Sequence, residues 1–220
     1  MTVLVLLGVP GAGKGTQARI LSERLAIPHI ATGDLFRSAV RDDSPIGRQA
    51  RQYMERGQLV PDEITIGMLL DRLALPDAAG GAILDGFPRT RGQAEALDKA
   101  LAEQATKVER AMLIEVPAEE LVRRLSGRWV CEASGHVYNL QTNPPRVHGR
   151  CDLDGSPLVQ RSDDRAETIR ERLAQQLGAL RDVVGHYRTA GVLRSVDGRR
   201  PIPEVTEELL ADLAGEQVSA

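Results

Sequence analysis

A glycine-rich segment near the start of the chain has the residue types and spacing of a phosphate-binding loop. Residues 8–16 read G-V-P-G-A-G-K-G-T and follow the apolar run Val3–Leu7. Glycines let successive backbone N–H groups turn toward phosphate oxygens, and a helix that begins there adds the positive end of its dipole. A lysine in this position meets the β- and γ-phosphates as a point charge. The residues expected at the triphosphate are Gly11, Ala12, Gly13, Lys14, Gly15 and Thr16.

One position of this loop departs from the general signature G-x-x-x-x-G-K-[ST]. Gly15 stands where a serine or threonine would hold Mg²⁺, and the hydroxyl comes one residue later, at Thr16. This variant argues against a GTPase-like switch protein.

A carboxylate and two arginines are further candidates for phosphate chemistry. Asp85 ends the apolar run Ala82–Asp85, where a carboxylate beside the loop can order the water ligands of Mg²⁺. Arg37 and Arg89 each lie just beyond an apolar segment, where a planar guanidinium can grip a phosphate through two hydrogen bonds. An isolated arginine is more often a solvated surface charge, so this interpretation depends on the motifs around both residues.

The elements that must position these residues alternate along the chain between short aliphatic runs and longer helical patterns. The strand candidates are Val3–Leu7, Pro28–Ala31, Ala82–Asp85, Arg110–Val116 and Val192–Val196. The helix candidates are Lys14–Leu25, Gly33–Arg41, Ile46–Arg56, Asp62–Leu75, Thr90–Glu103, Ala118–Leu125, Arg165–Tyr187 and Pro203–Ala214. This alternation predicts βαβ units and a parallel sheet with helices on both faces. Ligands then bind at the carboxyl ends of the strands.

One long stretch, residues 127–164, breaks this alternation because it lacks a helical period. Gly, Pro, Asn and Asp separate short extended pieces, and Trp129–Cys131 and His136–Tyr138 alternate like the strands of a hairpin. A loop of this length in a compact domain is usually a functional lid or an inserted subdomain. We therefore predict a small β subdomain here.

Composition narrows the class of protein. The 220 residues are 42% hydrophobic, the net charge is −3, and there are only two cysteines. A slightly acidic chain lacks the basic face of a nucleic-acid-binding protein, and no apolar run reaches the roughly 18 residues of a membrane span. Two cysteines are too few for a disulfide framework, which favours a reducing, cytoplasmic location. We expect neither nucleic-acid nor membrane partners.

Three further segments, together with the loop, resemble the nucleoside-monophosphate kinases, and specifically the long-lid, bacterial-type adenylate kinases. Residues 31–37 read A-T-G-D-L-F-R, residues 84–90 read L-D-G-F-P-R-T, and residues 160–164 read Q-R-S-D-D before T-I-R-E-R-L at 168–173. The first resembles the opening of the monophosphate-binding helices, the second an adenylate kinase signature and the third the hinge that closes the lid. The similarity extends from Val3 to about Ile202.

The resemblance implies a fold and an activity. The fold is α/β, a P-loop NTPase-type parallel sheet flanked by helices, with a helical monophosphate-binding insertion and a small β lid. The implied core is residues 1–30, 61–126 and 165–220, the monophosphate-binding subdomain is residues 31–60, and the lid is residues 127–164. The implied reaction is a reversible, Mg²⁺-dependent, in-line transfer from ATP to AMP that gives two ADP without a covalent intermediate. It maintains adenine nucleotide homeostasis, and the protein is expected to be a monomer.

The resemblance also assigns residues to this chemistry. The catalytic set is Lys14, Asp85, Arg89, Arg124, Arg128, Arg161 and Arg172. Beyond the phosphate loop, the contacts with ATP are Arg128, Val137, Tyr138 and Arg200. The AMP site is Thr32, Arg37, Gln58, Leu59, Val60, Gly86, Phe87, Pro88, Arg89, Gln93, Arg161 and Arg172, with Thr32 and Gln93 at the adenine. Arg124 and Arg128 are four residues apart across the exit of a helix, so they project from one face.

Two positions depart from the family pattern. Some long-lid members hold structural zinc with C-x₂-C and C-x₂-(C/D) pairs, but here Ser134 replaces the second cysteine, which leaves Cys131, Cys151 and Asp154 as an incomplete set. His136 or His148 are possible substitutes that the spacing does not favour, and we expect a hydrogen-bonded, apolar cluster without zinc. Thr142 stands where an aromatic residue commonly packs near the adenine of ATP, which weakens the case for strict ATP preference.

Two alternatives stay open at the level of the sequence. A UMP/CMP kinase has a similar loop, but such enzymes typically carry Ala at the position of Thr32 and have a short lid. A non-catalytic nucleotide-binding P-loop protein would keep the loop but would not need a second anion site at Arg37 and Arg89.

Overall fold

The computed structural model of the chain describes residues 1–140, 143–161, 164 and 166–215, and for residues 166–167 and 170–172 it describes the backbone alone. Thr142 and residues 216–220 lie outside this part of the chain. The strands are β1 (Thr2–Leu7), β2 (His29–Ala31), β3 (Gly81–Asp85), β4 (Val108–Glu115), β5 (Arg128–Cys131), β6 (Val137–Asn139), β7 (Leu158–Val159) and β8 (Leu193–Asp197). The helices are α1 (Lys14–Leu25), α2 (Thr32–Arg41), α3 (Pro45–Glu55), α4 (Asp62–Leu73), α5 (Arg91–Glu103), α6 (Ala118–Ser126), α7 (Ala166–Thr189) and α8 (Ile202–Ala214).

The main sheet has five parallel strands in the order β2-β3-β1-β4-β8. β1 is its central strand, and all five residues from Val3 to Leu7 are buried. Alternate side chains of a strand point to opposite faces. Accordingly Val3, Val5 and Leu7 belong to one apolar cluster, and Leu4 and Leu6 belong to the other. The predicted parallel sheet flanked by helices is confirmed.

The helix boundaries follow local chemistry. α5 begins after Thr90, whose hydroxyl accepts a hydrogen bond of 3.1 Å from the Gln93 N–H and so caps the helix. α4 ends at Leu73, two residues before the predicted end at Leu75, because a 3₁₀ turn starting at Pro76 follows. A residue that precedes proline is disfavoured in the helical conformation.

Helices α2 and α3 pack closely as a pair above the end of β2. Ser44 caps α3 by accepting a 3.0 Å hydrogen bond from the Gly47 N–H. A Cβ atom at Gly47 would lie 2.0 Å from the carbonyl oxygen of Ala39, so only glycine permits this approach of the two helices. A small apolar cluster that includes Phe36 holds the pair.

Residues 128–159 contain a second sheet, with three antiparallel strands in the order β6-β5-β7. The predicted hairpin is present as β5 and β6, where Trp129 pairs with Tyr138. The third strand, β7, was not predicted, because two residues are too short to give a period. Cys131, Tyr138, Cys151 and Leu158 form the apolar cluster of this unit.

None of the helices in the described part of the chain has both the length and the apolar composition needed to cross a bilayer.

Candidate active site

The carboxyl ends of β1, β2 and β3 open into a cavity of about 830 Å³, here called the main cavity. Residues 8–16 form one wall of it, residues 31–37 another, and Arg128, Val137 and Tyr138 contribute from the small sheet. The fold therefore places the predicted phosphate loop at the carboxyl ends of the strands, where ligands bind in open α/β folds.

The phosphate loop runs from the end of β1 into the first turn of α1. Gly13 has φ of 101° and directly precedes the helix, a backbone conformation that other residues adopt only with strain. The first N–H groups of α1 therefore face the main cavity with the positive end of the helix dipole. The Lys14 ammonium lies within the loop and donates to the Val9 carbonyl at 3.1 Å.

The structure gives a reason for the glycine at position 15. A Cβ atom there would lie 3.3 Å from Oδ2 of Asp85, which is tighter than ordinary van der Waals contact. A serine or threonine at this position would therefore push against the carboxylate. The absence of a side chain at position 15 therefore leaves room for the Asp85 carboxylate at the end of β3.

The Asp85 carboxylate is largely buried, with 15% of its side chain exposed, and it lies 3.3 Å from Nε2 of His29. Burial raises the pKa of Asp85, but the hydrogen bond from His29 and the charges of Lys14, His29 and Arg89 outweigh it, so the net pKa is lowered. A carboxylate kept ionised at this edge suits a divalent cation and its water ligands.

A smaller pocket, here called the side pocket, adjoins the main cavity. Both are lined by Gly33, Arg37, Gly86, Arg89 and Gln176, which form their boundary. The side pocket continues between α2, α3 and α5, where it is lined by further predicted residues: Thr32, Gln58, Leu59, Val60 and Gln93. Two guanidinium groups thus stand where the two spaces meet.

Arg89 is fixed by contacts on both sides of this boundary. Its Nε donates to the Gly86 carbonyl at 2.7 Å, and its Nη1 lies 3.4 Å from Oε1 of Gln176. A Cβ atom at Gly86 would lie 2.8 Å from Nη2 of Arg89, so the glycine makes room for the guanidinium. The Thr32 hydroxyl also donates to the Gly86 carbonyl, at 2.9 Å.

Carboxylates pair with most of the other candidate arginines. Asp34 forms an ion pair with Arg37 and lies 3.9 Å from Nη2 of Arg161. Glu120 accepts from Nε of Arg124 at 2.9 Å.

Arg128 pairs with the fully buried Asp164 and so connects β5 to the far end of the small-sheet segment. Arg124, Arg128 and Arg161 all line the main cavity. The positive charges gathered here are therefore balanced by nearby acids.

Three of the predicted residues have no free side chain at either space in the described part of the chain. The Phe87 ring is 1% exposed and belongs to the sheet core, and it lines neither the main cavity nor the side pocket. Arg200 lines the main cavity but is held by Glu204 and Glu208. The Arg172 side chain lies outside the described part of the chain.

Several residues of the site were not found from the sequence. Gln176 lies midway along α7, and Asp62 begins α4, where its carboxylate accepts hydrogen bonds from Thr90 and Gln93. Arg199 lines the main cavity from the loop after β8. Isolated polar residues in helices and loops carry no local motif, and only contacts between distant segments reveal them.

The small sheet gathers four side chains that can ligate a metal: Cys131, His136, Cys151 and Asp154, whose ligand atoms lie within 4.8 Å of one another. His136 thus lies where the sequence pattern lacked a fourth donor, and two thiols, an imidazole and a carboxylate suit a tetrahedral zinc ion. The same groups also form hydrogen bonds. Asp154 accepts from the Ser134 hydroxyl and from the Cys131 thiol at 3.2 Å, and His136 lies 3.3 Å from the Cys151 sulfur.

The amino-acid sequence is similar to those of known proteins along most of its length. The family model described as adenylate kinase matches residues 6–192. The adenylate kinase of Exiguobacterium sibiricum is 50% identical over 213 residues, which cover 97% of this chain and 99% of that protein. Those of Staphylococcus epidermidis and Staphylococcus aureus are 46% and 45% identical over 207 residues, 94% of this chain and 96% of theirs.

Proposed function

The chain belongs to the adenylate kinase family, and we propose that it transfers the terminal phosphoryl group of ATP to AMP, reversibly and with Mg²⁺, to give two ADP. The observation that carries this proposal is the meeting of two pockets at Arg37 and Arg89. One pocket contains a phosphate loop, and the other lies between helices beyond the arginines. Two nucleotides bound in these pockets would have their phosphates next to each other.

In phosphoryl transfer the protein contributes mainly by positioning the two nucleotides and neutralising their charge, and it supplies little covalent chemistry. The backbone N–H groups of residues 11–16 and the ammonium of Lys14 hold the donor triphosphate. Arg37 and Arg89 hold the acceptor phosphate, and Arg124, Arg128, Arg161 and Arg172 neutralise the group in transfer. The acceptor oxygen attacks in line, and the terminal phosphorus–oxygen bond of ATP breaks as the new one forms.

Asp85 fits the magnesium that accompanies ATP, because its carboxylate is ionised, lies beside Lys14 and is given room by Gly15. The metal supplies neutralisation of charge on the donor phosphates and fixes their geometry. The contribution of the protein is to hold the carboxylate at the end of β3 through His29.

AMP occupies the side pocket in this proposal. Its phosphate lies at Arg37 and Arg89, and its base lies among Thr32, Gln58, Leu59, Val60, Gly86 and Gln93, with Phe87 and Pro88 supporting the pocket from the backbone. ATP contacts Val137, Tyr138 and Arg200 in the main cavity. The phosphates take over the arginines that Asp34, Glu120 and Asp164 hold in this structure.

Water must be excluded, since it would otherwise accept the phosphoryl group. We assign this task to two mobile units, a monophosphate-binding subdomain of residues 31–60 and a lid of residues 127–164, which close on a core of residues 1–30, 61–126 and 165–220. Each unit has its own small apolar cluster, so each can move as a body.

The lid cluster of Cys131, Ser134, His136, Cys151 and Asp154 includes four side chains that could ligate zinc, but the same atoms already pair with one another or with Ser134. We propose that these hydrogen bonds, without zinc, hold the cluster. Hydrogen bonds from the Ser134 hydroxyl and the Ser156 N–H lower the pKa of Asp154, which keeps it ionised as their acceptor. We also propose that the protein works as a monomer in the cytoplasm. Its two cysteines are free, which suits a reducing compartment.

A coupled assay on the purified protein tests the activity. ATP with AMP is expected to give two ADP, with turnover abolished by removal of Mg²⁺, and UMP, CMP and GMP are expected to react far more slowly. Equal or faster turnover with UMP would contradict the choice of AMP. Lack of turnover with every monophosphate, while ATP still binds, would identify a nucleotide-binding protein instead.

A further inference from the structure

The side pocket contains a buried side-chain amide that forms one hydrogen bond at its oxygen and one at its nitrogen. Gln93 is 1% exposed, and its Oε1 accepts a 2.8 Å hydrogen bond from the Arg89 N–H. Its Nε2 donates to Oδ1 of Asp62 at 2.7 Å. Asp62 is itself held, because its Oδ2 accepts from the Thr90 hydroxyl at 2.6 Å. Two helices and the loop before α5 thus converge on one amide.

These partners allow only one orientation of the amide. A backbone N–H can only donate, and an ionised carboxylate can only accept. If the Gln93 amide rotated by 180°, its NH₂ group would face the Arg89 N–H and its carbonyl would face the Asp62 carboxylate. Both hydrogen bonds would be lost, and like groups would meet in a buried place, where unsatisfied polar atoms are costly. The carbonyl of Gln93 therefore stays on the Arg89 side and the NH₂ group on the Asp62 side.

A fixed amide can distinguish purines. Each end of the amide keeps one further capacity, a lone pair on the oxygen and a hydrogen on the nitrogen. Adenine carries an amino donor at its 6-position, whereas guanine carries an oxygen acceptor there, as hypoxanthine does. A carbonyl held toward the 6-position accepts from the amino group of adenine but opposes the oxygen of a 6-oxopurine. An amide free to rotate would accommodate both.

We propose that Asp62 is a specificity-determining positioning residue, which acts through Gln93 to select 6-aminopurine monophosphates over 6-oxopurine monophosphates. Asp62 does not contact the base. Together with the Arg89 N–H, it keeps the Gln93 amide in one orientation. This inference rests on the proposed function, in which the base of AMP lies at Gln93.

The test is the ratio of kcat/KM for AMP to kcat/KM for IMP, which differs from AMP in the 6-position and the protonation of N1. Asp62→Asn keeps the size of the side chain but can donate to a rotated amide, so the ratio is expected to fall by roughly tenfold. The KM for ATP is expected to stay within about twofold, since the donor binds elsewhere. A purely structural role would lower both activities and leave the ratio unchanged.

Asp77→Asn is the matched control. Asp77 lies just after α4 and pairs with Arg72 of that helix at 2.6 Å, away from both pockets. This substitution makes the same chemical change near the other end of α4, and it is expected to leave the ratio unchanged.

Two failures are distinguishable. If the wild-type protein does not phosphorylate AMP, the proposed function is wrong. If it prefers AMP and Asp62→Asn keeps the wild-type ratio, the role of Asp62 is wrong while the function stands. Should Asp62→Asn lose all turnover, the same ratio is taken from the Kd values of AMP and IMP by titration calorimetry, and an unchanged Kd ratio overturns the proposal.

Discussion

At the scale of single residues, the departure from the general phosphate-loop signature has a steric explanation. The sequence shows that position 15 lacks the hydroxyl that would hold Mg²⁺. It does not show which group lies in the space that the hydroxyl would fill. In the folded chain, Asp85 approaches to within 3.3 Å of where a Cβ atom would stand at Gly15. The residue pair therefore works as a unit, in which the small residue at 15 permits the acid at 85.

Gly15→Ala tests this reading. The added methyl group is expected to displace the Asp85 carboxylate by a few tenths of an ångström and to lower kcat roughly tenfold, because in-line transfer is sensitive to small misplacements. The Mg²⁺ concentration for half-maximal turnover is expected to rise. Steady-state kinetics over a Mg²⁺ series measure both quantities.

Gly178→Ala is the control for this substitution. Gly178 lies in helix α7, where nothing stands within 4 Å of an added Cβ atom, so turnover is expected to be unchanged and the helix stabilised by up to about 1 kcal/mol. If Gly15→Ala kept the wild-type kcat and Mg²⁺ dependence, the space at position 15 would have no part in positioning Asp85.

At the scale of elements, the small sheet shows how four separated side chains become neighbours. β5 carries Cys131, and the turn before β6 brings His136 back toward the cluster. Cys151 and Asp154 arrive from the segment before β7. In the sequence pattern, Ser134 stands where the family's second zinc-binding cysteine would be. In the folded hairpin, the imidazole of His136 instead lies beside the other three potential ligands.

Metal analysis tests the proposal that this cluster needs no zinc. After gel filtration in a buffer without chelator, zinc in the wild-type protein is expected to stay well below one ion per chain. Ser134→Cys adds a third thiol beside Cys131 and Cys151, and thiolates are favoured ligands of structural zinc, so this variant is expected to retain more of the ion. One zinc ion per wild-type chain, removed together with lid structure by a chelator, would contradict the proposal.

At the scale of the whole molecule, carboxylates with lowered pKa values couple stability to pH. Asp85 has a lowered pKa, and hydrogen bonds from Arg199 lower the pKa of Asp197 to about 2. Hydrogen bonds from Arg123 and Arg124 lower the pKa of Glu120. A carboxyl group whose pKa is lower in the folded state stabilises the fold fully above its unfolded pKa, and this contribution is lost as pH falls through the folded pKa.

The free energy of unfolding in urea is therefore expected to decrease as the pH falls below about 4, where unfolded carboxyl groups begin to take up protons before the folded ones. Asp85→Asn removes one buried member of the set, so its stability is expected to be lower at neutral pH and its decline in acid shallower. A wild-type protein whose stability rose between pH 5 and pH 3 would contradict this assignment.

The amino-acid sequence alone was enough to predict the class of fold and to propose where the chemistry takes place. Alternating apolar runs and helical periods are local, and they sufficed for the parallel sheet and for nearly every helix. The phosphate loop and the L-D-G-F-P-R-T segment are local too, since each sets its own backbone around a strand end. For that reason the sequence alone predicts Lys14, Asp85 and Arg89 as neighbours at the ends of the strands, and all three line the main cavity.

The groups that hold these residues in place become visible only in the folded chain. Asp62 and Gln93 are 31 residues apart, Arg128 and Asp164 are 36 apart, and Arg89 and Gln176 are 87 apart. A hydrogen bond requires two atoms within about 3 Å, and no periodicity in the chain reports that distance for separate elements. The sequence predicts the groups that would act on a phosphate, while packing of α4, α5 and α7 around the strand ends determines which partners hold Arg89 and Gln93.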